Sequence, residues 1–130
     1  MKKELLDNNP ILKLTFDFSL MIIGYCEKLE KEKKFIIARQ LLKSGTSIGA
    51  NSIEAQNAES TSDFIHKFKI AAKEADETQY WLMLCNYAET YPDCNHLFNK
   101  LEEIQKVLNS IIGTVKRKKP LGFLLSYFIL

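Results

Sequence analysis

The sequence predicts an all-α protein, an antiparallel up-down-up-down four-helix bundle. Apolar residues recur at steps of three and four along four segments, which is the spacing of one face of a helix. The 130 residues include only five glycines and three prolines, and Pro10, Pro92 and Pro120 stand where helices would begin or end. With 46% hydrophobic residues, the chain is long enough to bury a core as a single domain.

The first two helices are predicted on either side of a charged connection. Asn9 and Pro10 are typical of a helix start, because an N-cap is followed by proline at the first helical position. The run from Glu27 to Lys34 holds the connection, and the second helix starts near Phe35. The predicted buried faces are Leu14, Phe18, Met21, Tyr25 and Leu29 on the first helix, and Ala38, Leu41, Gly45, Ile48 and Ser52 on the second.

The third and fourth helices carry the most regular apolar pattern. The hydroxyl and acidic residues at 60–63 predict the start of the third helix, which ends at about Tyr91 because Pro92 cannot continue it. Its buried face extends over three heptads without interruption, and the fourth helix repeats the pattern. These faces comprise Phe64, Phe68, Ala71, Ala75, Thr78, Leu82 and Cys85, followed by Leu97, Leu101, Ile104, Leu108, Ile111 and Val115.

A register can be predicted for the hairpin of the second and third helices. If the turn centres near Ser60, antiparallel partners have residue numbers that sum to about 120. Small residues then meet at two levels, which would explain two glycines that each cost about 1 kcal/mol inside a helix. The register also predicts one ion pair and one cation–π contact. The predicted pairs are Gly45 with Ala75, Gly49 with Ala71, Lys43 with Glu77, and Arg39 with Trp81.

Charge and cysteine content indicate a cytoplasmic protein. The three cysteines form no Cys-x-x-Cys pair, and no apolar segment typical of an export signal follows the first charged residues. We therefore expect reduced thiols, with Cys26 and Cys85 as small core residues. The net charge of +2 is too mild to predict a nucleic-acid partner by itself.

Two motifs carry a family resemblance: LLKSGTSIGANSIEA at 41–55 and KEADETQYWL at 73–82. With both in this order, residues 11–118 resemble the four-helix-bundle proteins encoded in intervening sequences of bacterial 23S ribosomal RNA genes. That family is similar to the accessory variability determinant of diversity-generating retroelements. The resemblance implies an antiparallel four-helix bundle, a ring-shaped homopentamer with basic surfaces, and a suspected role in binding nucleic acid.

The chain departs from the family pattern at two places. Residues 51–54 read Asn-Ser-Ile-Glu where the family usually has an Asn-Ile-Ala-Glu type of run, and the chain ends in an apolar segment instead of a polar tail. We divide the chain into a bundle, residues 1–119, and a tail, residues 120–130. The tail is shorter than the roughly 20 residues that span a bilayer, so we predict no integral membrane span. We expect it to pack into a groove of its own or a neighbouring bundle, with contact to a membrane surface as the alternative.

Glu74, Glu77 and Trp81 lie on one side of the predicted third helix, beside its buried face. One interpretation is a paired-carboxylate site. The interpretation that we favour is helix packing or a contact between subunits, with Trp81 as an anchor, because catalytic acid pairs need a cleft. The small residues Gly45, Gly49, Ala71 and Ala75 belong to the same packing prediction.

The sequence contains no recognisable catalytic or metal-binding motif. Di-iron bundles use Glu-x-x-His motifs, whereas this chain has Asp63 three residues before His66 and Asp93 three before His96, both at predicted helix starts. Capping is the expected role of each aspartate. The glycines at 45 and 49 lack the strand and the Gly-Lys-Ser/Thr of a phosphate-binding loop. We therefore predict no enzyme, no catalytic residue, no metal and no cofactor.

Basic residues are the remaining candidates for a functional site. In a monomer they are best interpreted as a solvated face, but a pentamer would repeat each cluster five times and so raise its avidity for a polyanion. With 16 lysines and two arginines, phosphate contacts are favoured over base reading. The leading hypothesis is a non-enzymatic homo-oligomer that binds RNA, DNA or a nucleic-acid-handling protein. The alternative is a structural or protein-interaction module with no nucleic-acid role. The candidate nucleic-acid-binding residues are Arg39, Lys43, Lys69, Lys73, Lys116, Arg117, Lys118 and Lys119.

Overall fold

Five helices and no strand make up residues 3–118, the part of the chain that the computed structural model describes, without the side chain of Lys118. The four long helices form a bundle in which α2 packs on α3, α3 on α4, α4 on α5, and α5 on α2. This all-α arrangement confirms the predicted fold class at the level of a helical bundle. The helices are α1 (Lys3–Asn8), α2 (Pro10–Lys31), α3 (Phe35–Ala55), α4 (Thr61–Tyr87) and α5 (Asn95–Lys118).

Local signals set the helix starts as predicted. The Asn9 side chain accepts a hydrogen bond from the Leu12 amide (3.4 Å), and Pro10 is the first residue of α2. At the start of α4, the Ser60 hydroxyl accepts from the Asp63 amide (3.0 Å). The Asp63 carboxylate accepts in turn from the Glu59 amide (3.3 Å), which confirms its capping role. Each contact satisfies a backbone donor within four residues, so neighbours in sequence suffice to place these starts.

The end of α4 was predicted wrongly. The helix stops at Tyr87, four residues before the expected end, and Ala88 is extended. Tertiary contacts hold the connection that follows, since the Tyr25 hydroxyl donates to the Pro92 carbonyl (2.7 Å) and the Lys34 amine lies 4.7 Å from the Tyr91 ring centre. The segment thus closes one end of the bundle instead of extending the helix.

The buried face of α2 also differs from the prediction. Ile11, Thr15 and Ile22 are buried, whereas Leu14 and Met21 are only partly buried at its edge. Spacing alone could not separate these faces, because α2 carries apolar residues nearly all around its circumference. Packing of α2 against α3 and α5 determines which of its apolar residues are buried.

The predicted α3–α4 register is confirmed. Lys67 Nζ lies 3.2 Å from Glu54 Oε1, and the hydroxyls of Thr78 and Ser44 are 2.9 Å apart in the core. In both pairs the two residue numbers add up to within two of 120, the sum predicted for antiparallel partners. Gly45, Gly49, Ala71 and Ala75 are all buried, as a packing role requires.

The explanation offered for the two glycines was wrong. A Cβ atom at Gly45 would meet three side-chain atoms of Ile22 at 2.9–3.1 Å, and one at Gly49 would meet the Thr15 side chain at 3.2 Å. Both contacts are with α2, not with the alanines of α4. The glycines therefore allow α2 and α3 to approach each other, and the pairing with Ala71 and Ala75 is not the closest contact.

Candidate nucleic-acid interface

Three lysines from two helices converge near the start of α4 and the end of α5. Lys69 and Lys73 are one turn apart on α4, and Lys116 lies opposite them on α5. The pKa of the Lys69 amine is lowered, chiefly by the charge of the adjacent Lys116 amine and more weakly by Lys73. We call Lys69, Lys73 and Lys116 the basic cluster. Its members repel one another, which makes this part of the surface favourable for an anion.

No carboxylate forms a direct ion pair with the basic cluster: among the described residues, none of its members has an acidic partner within 4.0 Å. The adjacent Lys67 does have one, since it pairs with Glu54. Lys13 and Lys106 also form ion pairs, with acids one helical turn away. Exposed pairs of this kind stabilise a protein by at most about 1 kcal/mol. Their relevance here is the contrast, because the lysines of the basic cluster have no such direct ion pair among the described residues.

A cleft with a volume of about 560 Å³ opens beside the basic cluster, between the first turns of α4 and the last turns of α5. Ser62, His66, Lys69 and Lys116 contribute polar groups to it, and the partly exposed Ile65 forms an apolar wall. Val115 also lines the cleft but is fully buried. The lysines were predicted from the sequence, but the cleft was not. The hairpin rule applied to α4 and α5 could have indicated it, because a turn near Tyr91 pairs the start of α4 with the end of α5.

The structure separates the other predicted basic residues from the cluster. Arg117 lies at the same end, and its guanidinium donates to the Thr114 hydroxyl (3.4 Å). Arg39 lines a different groove, between α2 and α3, together with Glu30. Lys43 lies near the Glu74 carboxylate on the α3–α4 side. The side chain of Lys118 and all of Lys119 lie outside the described residues, as does the tail at 120–130.

Glu74, Glu77 and Trp81 share one side of α4, but the two predicted partners on α3 are wrong. The Trp81 indole donates to the Glu77 carboxylate (3.0 Å), and in residues 3–118 no ion pair within 4.0 Å joins Glu77 to Lys43. The cation–π contact found in the same residues joins Lys34 to Tyr91, not Arg39 to Trp81. The acids thus take part in contacts along and beside α4, with Trp81 packed edge-on to Tyr80.

We expect Glu74→Gln to raise the melting temperature slightly at pH 7.5. Burial and the nearby Glu77 raise the pKa of Glu74 above its ordinary value, against a smaller opposing effect of Lys43. A raised carboxyl pKa means that the folded protein binds the proton more tightly than the unfolded chain does. Stability from this group is therefore lost as pH rises through the raised pKa, and the variant avoids that loss.

Thermal melts at two pH values test this expectation. The gain should disappear below about pH 4, where the carboxyl is protonated in both states. Glu89→Gln, in the exposed α4–α5 connection, is the control. An equal shift at both pH values would contradict the electrostatic explanation.

The three cysteines are buried and poorly suited to nucleophilic chemistry. Burial raises the pKa of the Cys26 thiol to about 12 and that of Cys94 to about 11, and it also raises the pKa of Cys85. Since the thiolate is the nucleophile, these groups remain protonated at neutral pH. Cys94, which the sequence analysis did not assign to the core, is fully buried, and its thiol points to the Leu82 carbonyl (3.6 Å).

The described residues contain no group of three or more His, Cys, Asp or Glu side chains that could hold a metal ion. Asp93 accepts a hydrogen bond from the Asn95 amide (3.4 Å) at the start of α5. Within residues 3–118, no helix is long and apolar enough to cross a membrane.

Comparison with known proteins agrees with this architecture. Among solved structures, the chain is similar to a protein of unknown function from the S23 ribosomal protein family of Bacteroides thetaiotaomicron VPI-5482. The two share 41% identity with a TM-score of 0.72, over 78% of this chain and 97% of that one. The search of curated proteins gave no match. Residues 7–110 match the 23S rRNA-intervening sequence protein family, and the chain therefore belongs to that family.

Proposed function

We propose that this protein is a non-enzymatic, homo-oligomeric helical bundle that binds RNA or DNA without sequence preference through its basic cluster. The observation that carries the proposal is the convergence of Lys69, Lys73 and Lys116 from two helices with no acidic partner among the described residues. A nucleic-acid backbone supplies phosphates at a spacing that such a cluster can neutralise, with release of counterions.

Lysine chemistry favours contacts to phosphate. Lysine is a compact point charge on a flexible stem, whereas bidentate reading of a base edge is typical of arginine. The chain has 16 lysines and two arginines, and Arg117 is hydrogen-bonded along its own helix. Binding should therefore depend on charge and shape more than on base sequence.

Two exposed apolar surfaces support self-association. One surface lies across α2 and α3, where Phe16 and Ile23 are seven residues apart on α2 and Phe35 and Leu42 are seven apart on α3. The other follows one face of α4 through Tyr80, Leu84 and Tyr87, which are 40–80% exposed. Two different surfaces on one chain suit head-to-tail contacts between copies. Such contacts form a closed ring when the rotation from one copy to the next divides a full turn evenly.

A ring of five, as the family resemblance implies, would repeat the basic cluster around one assembly. Five copies of a +2 chain carry +10, and simultaneous contacts raise avidity without any new interaction. The short connections between consecutive long helices support the up-down-up-down order of the bundle in each copy. Such an assembly would act in the cytoplasm.

A protein-interaction module is the second candidate function. The same apolar surfaces favour it, together with the half-buried Trp81 beside Glu77 and Tyr80, because aromatic side chains are typical anchors of protein interfaces. In this case the ring would bind a protein partner and the basic cluster would be a solvated surface.

Fluorescence anisotropy on protein of measured mass separates the two candidates. Structured RNA, duplex DNA and single strands are titrated at 50 and 200 mM salt. We expect all three to bind to an oligomer, with affinity falling steeply as salt rises, because phosphate contacts release counterions. Absence of binding at 50 mM salt would overturn the nucleic-acid proposal and leave the protein-interaction module.

A further inference from the structure

The cleft beside the basic cluster has the composition of a binding site for a nucleotide with a terminal phosphate. Its cationic groups come from two helices, Lys69 on α4 and Lys116 on α5, and the Ser62 hydroxyl and His66 imidazole line the same space. All four groups can donate a hydrogen bond to a phosphate oxygen. We propose that this cleft binds the terminal phosphomonoester of a nucleic-acid strand, with the attached nucleoside against its apolar wall.

Charge favours a terminal phosphate over an internal one. Lys69 and Lys116 line the same cleft, and the charge of Lys116 lowers the pKa of Lys69. Among the described residues, no carboxylate lies within 4.0 Å of either amine. An internal phosphodiester carries one negative charge, whereas a phosphomonoester carries up to two at neutral pH. The terminal group therefore neutralises both amines in one small volume.

Size and lining favour a ligand larger than inorganic phosphate. The volume of about 560 Å³ lies within the range of about 300–1,000 Å³ that is typical of small-molecule sites. The partly exposed Ile65 side chain provides apolar surface beside the polar groups, which suits the face of a base or the edge of a ribose. A site for the phosphate alone would not need this wall.

The inference rests on the proposed function, since it takes the ligand to be the end of a nucleic-acid strand. A free nucleotide carries the same phosphomonoester and is the other possible source. Oligonucleotides of one sequence, with and without a terminal phosphate, test the first source. Adenosine 5′-monophosphate compared with adenosine tests the second.

Binding of 12-nucleotide single strands is measured by anisotropy on the full chain. The strands carry a 5′-phosphate, a 3′-phosphate or no terminal phosphate, with the dye placed at the other end. We expect one phosphorylated form to bind about tenfold more tightly than the unphosphorylated strand, since hydrogen bonds between charged groups are roughly twice as strong as those between neutral groups. Lys69→Gln and Lys116→Gln should each remove this preference. Lys67→Gln, which loses the same charge at a paired neighbour, should retain it.

The outcomes separate this inference from the proposed function. Equal affinity for all strands, with no preference for adenosine 5′-monophosphate over adenosine, would overturn the cleft as a phosphomonoester site and leave general nucleic-acid binding intact. Binding of adenosine 5′-monophosphate without binding of any oligonucleotide would support the cleft with a free nucleotide as its ligand, and would overturn the proposed function. A preference that survives both lysine variants would place the recognition elsewhere and overturn the inference.

Discussion

Reversal of the basic cluster by Lys69→Glu, Lys73→Glu and Lys116→Glu is expected to weaken nucleic-acid binding about a hundredfold or more at 50 mM salt, and to flatten its dependence on salt. The variant replaces three phosphate contacts by three repulsions. All three side chains are exposed, so we expect the helix content and the oligomer mass to remain those of the wild type. Anisotropy titrations at two salt concentrations measure both effects.

A control variant with the same change in net charge separates the effect of where the lysines lie from the effect of total charge. Lys13, Lys100 and Lys106 are also exposed or partly exposed, and each has an acidic residue on its own helix within 4.0 Å. Their reversal to glutamate should reduce affinity much less than reversal of the basic cluster does. Equal losses in the two triple variants would show that only net charge matters, and would remove the basic cluster as the interface.

Gly45→Ala is expected to destabilise the fold by about 1–2 kcal/mol, although alanine is the better helix former. The new methyl group would lie 2.9, 3.0 and 3.1 Å from three side-chain atoms of Ile22, which is itself fully buried. Two of these atoms are attached directly to the Ile22 Cβ, so they cannot move aside without a change of rotamer or of the α2–α3 distance. Overpacking should therefore outweigh the gain in helix propensity.

Gly24→Ala is the matched control, since a Cβ atom at Gly24 meets nothing within 4 Å. That substitution should stabilise α2 by up to about 1 kcal/mol, because propensity acts alone there. In an Ile22→Ala background, where the obstructing atoms are absent, Gly45→Ala should become neutral or stabilising. Urea denaturation measures the stability of the wild type, the three single variants and the double variant. A destabilising Gly45→Ala in the Ile22→Ala background would show that Ile22 is not the cause.

Prediction from sequence succeeded where the physical cause is local. Asn9, Ser60 and Asp63 satisfy backbone groups within a few residues of themselves, so their roles can be assigned from their neighbours in the chain. The buried face of α4 was predicted correctly because its seven residues alternate steps of four and three without interruption from Phe64 to Cys85. The α3–α4 register followed from the position of a short turn, which fixes the pairing of antiparallel helices.

Prediction failed where two parts of the chain compete for the same space. The spacing of apolar residues on α2 was compatible with more than one buried face. In the folded bundle Ile22 is buried and Met21 is only partly buried. The role of Gly45 depended on which neighbour came closest, and that was α2 instead of α4. At the candidate site, the lysines could be named from sequence, and pairing α4 with α5 as a hairpin would have brought Lys69 near Lys116. The cleft that these two lysines line could not be predicted, because it depends on how the surrounding side chains pack.

The four long helices, the starts of α2 and α4, the α3–α4 register and the family could thus be obtained from the sequence alone, whereas the short α1 was not predicted. These features depend on local hydrogen bonding and on the periodicity of apolar residues. The end of α4, the face of α2 in the core, and the cleft beside Lys69 and Lys116 became visible only in the folded bundle. Those features depend on contacts between residues tens of positions apart, where shape and charge are matched in space and not along the chain.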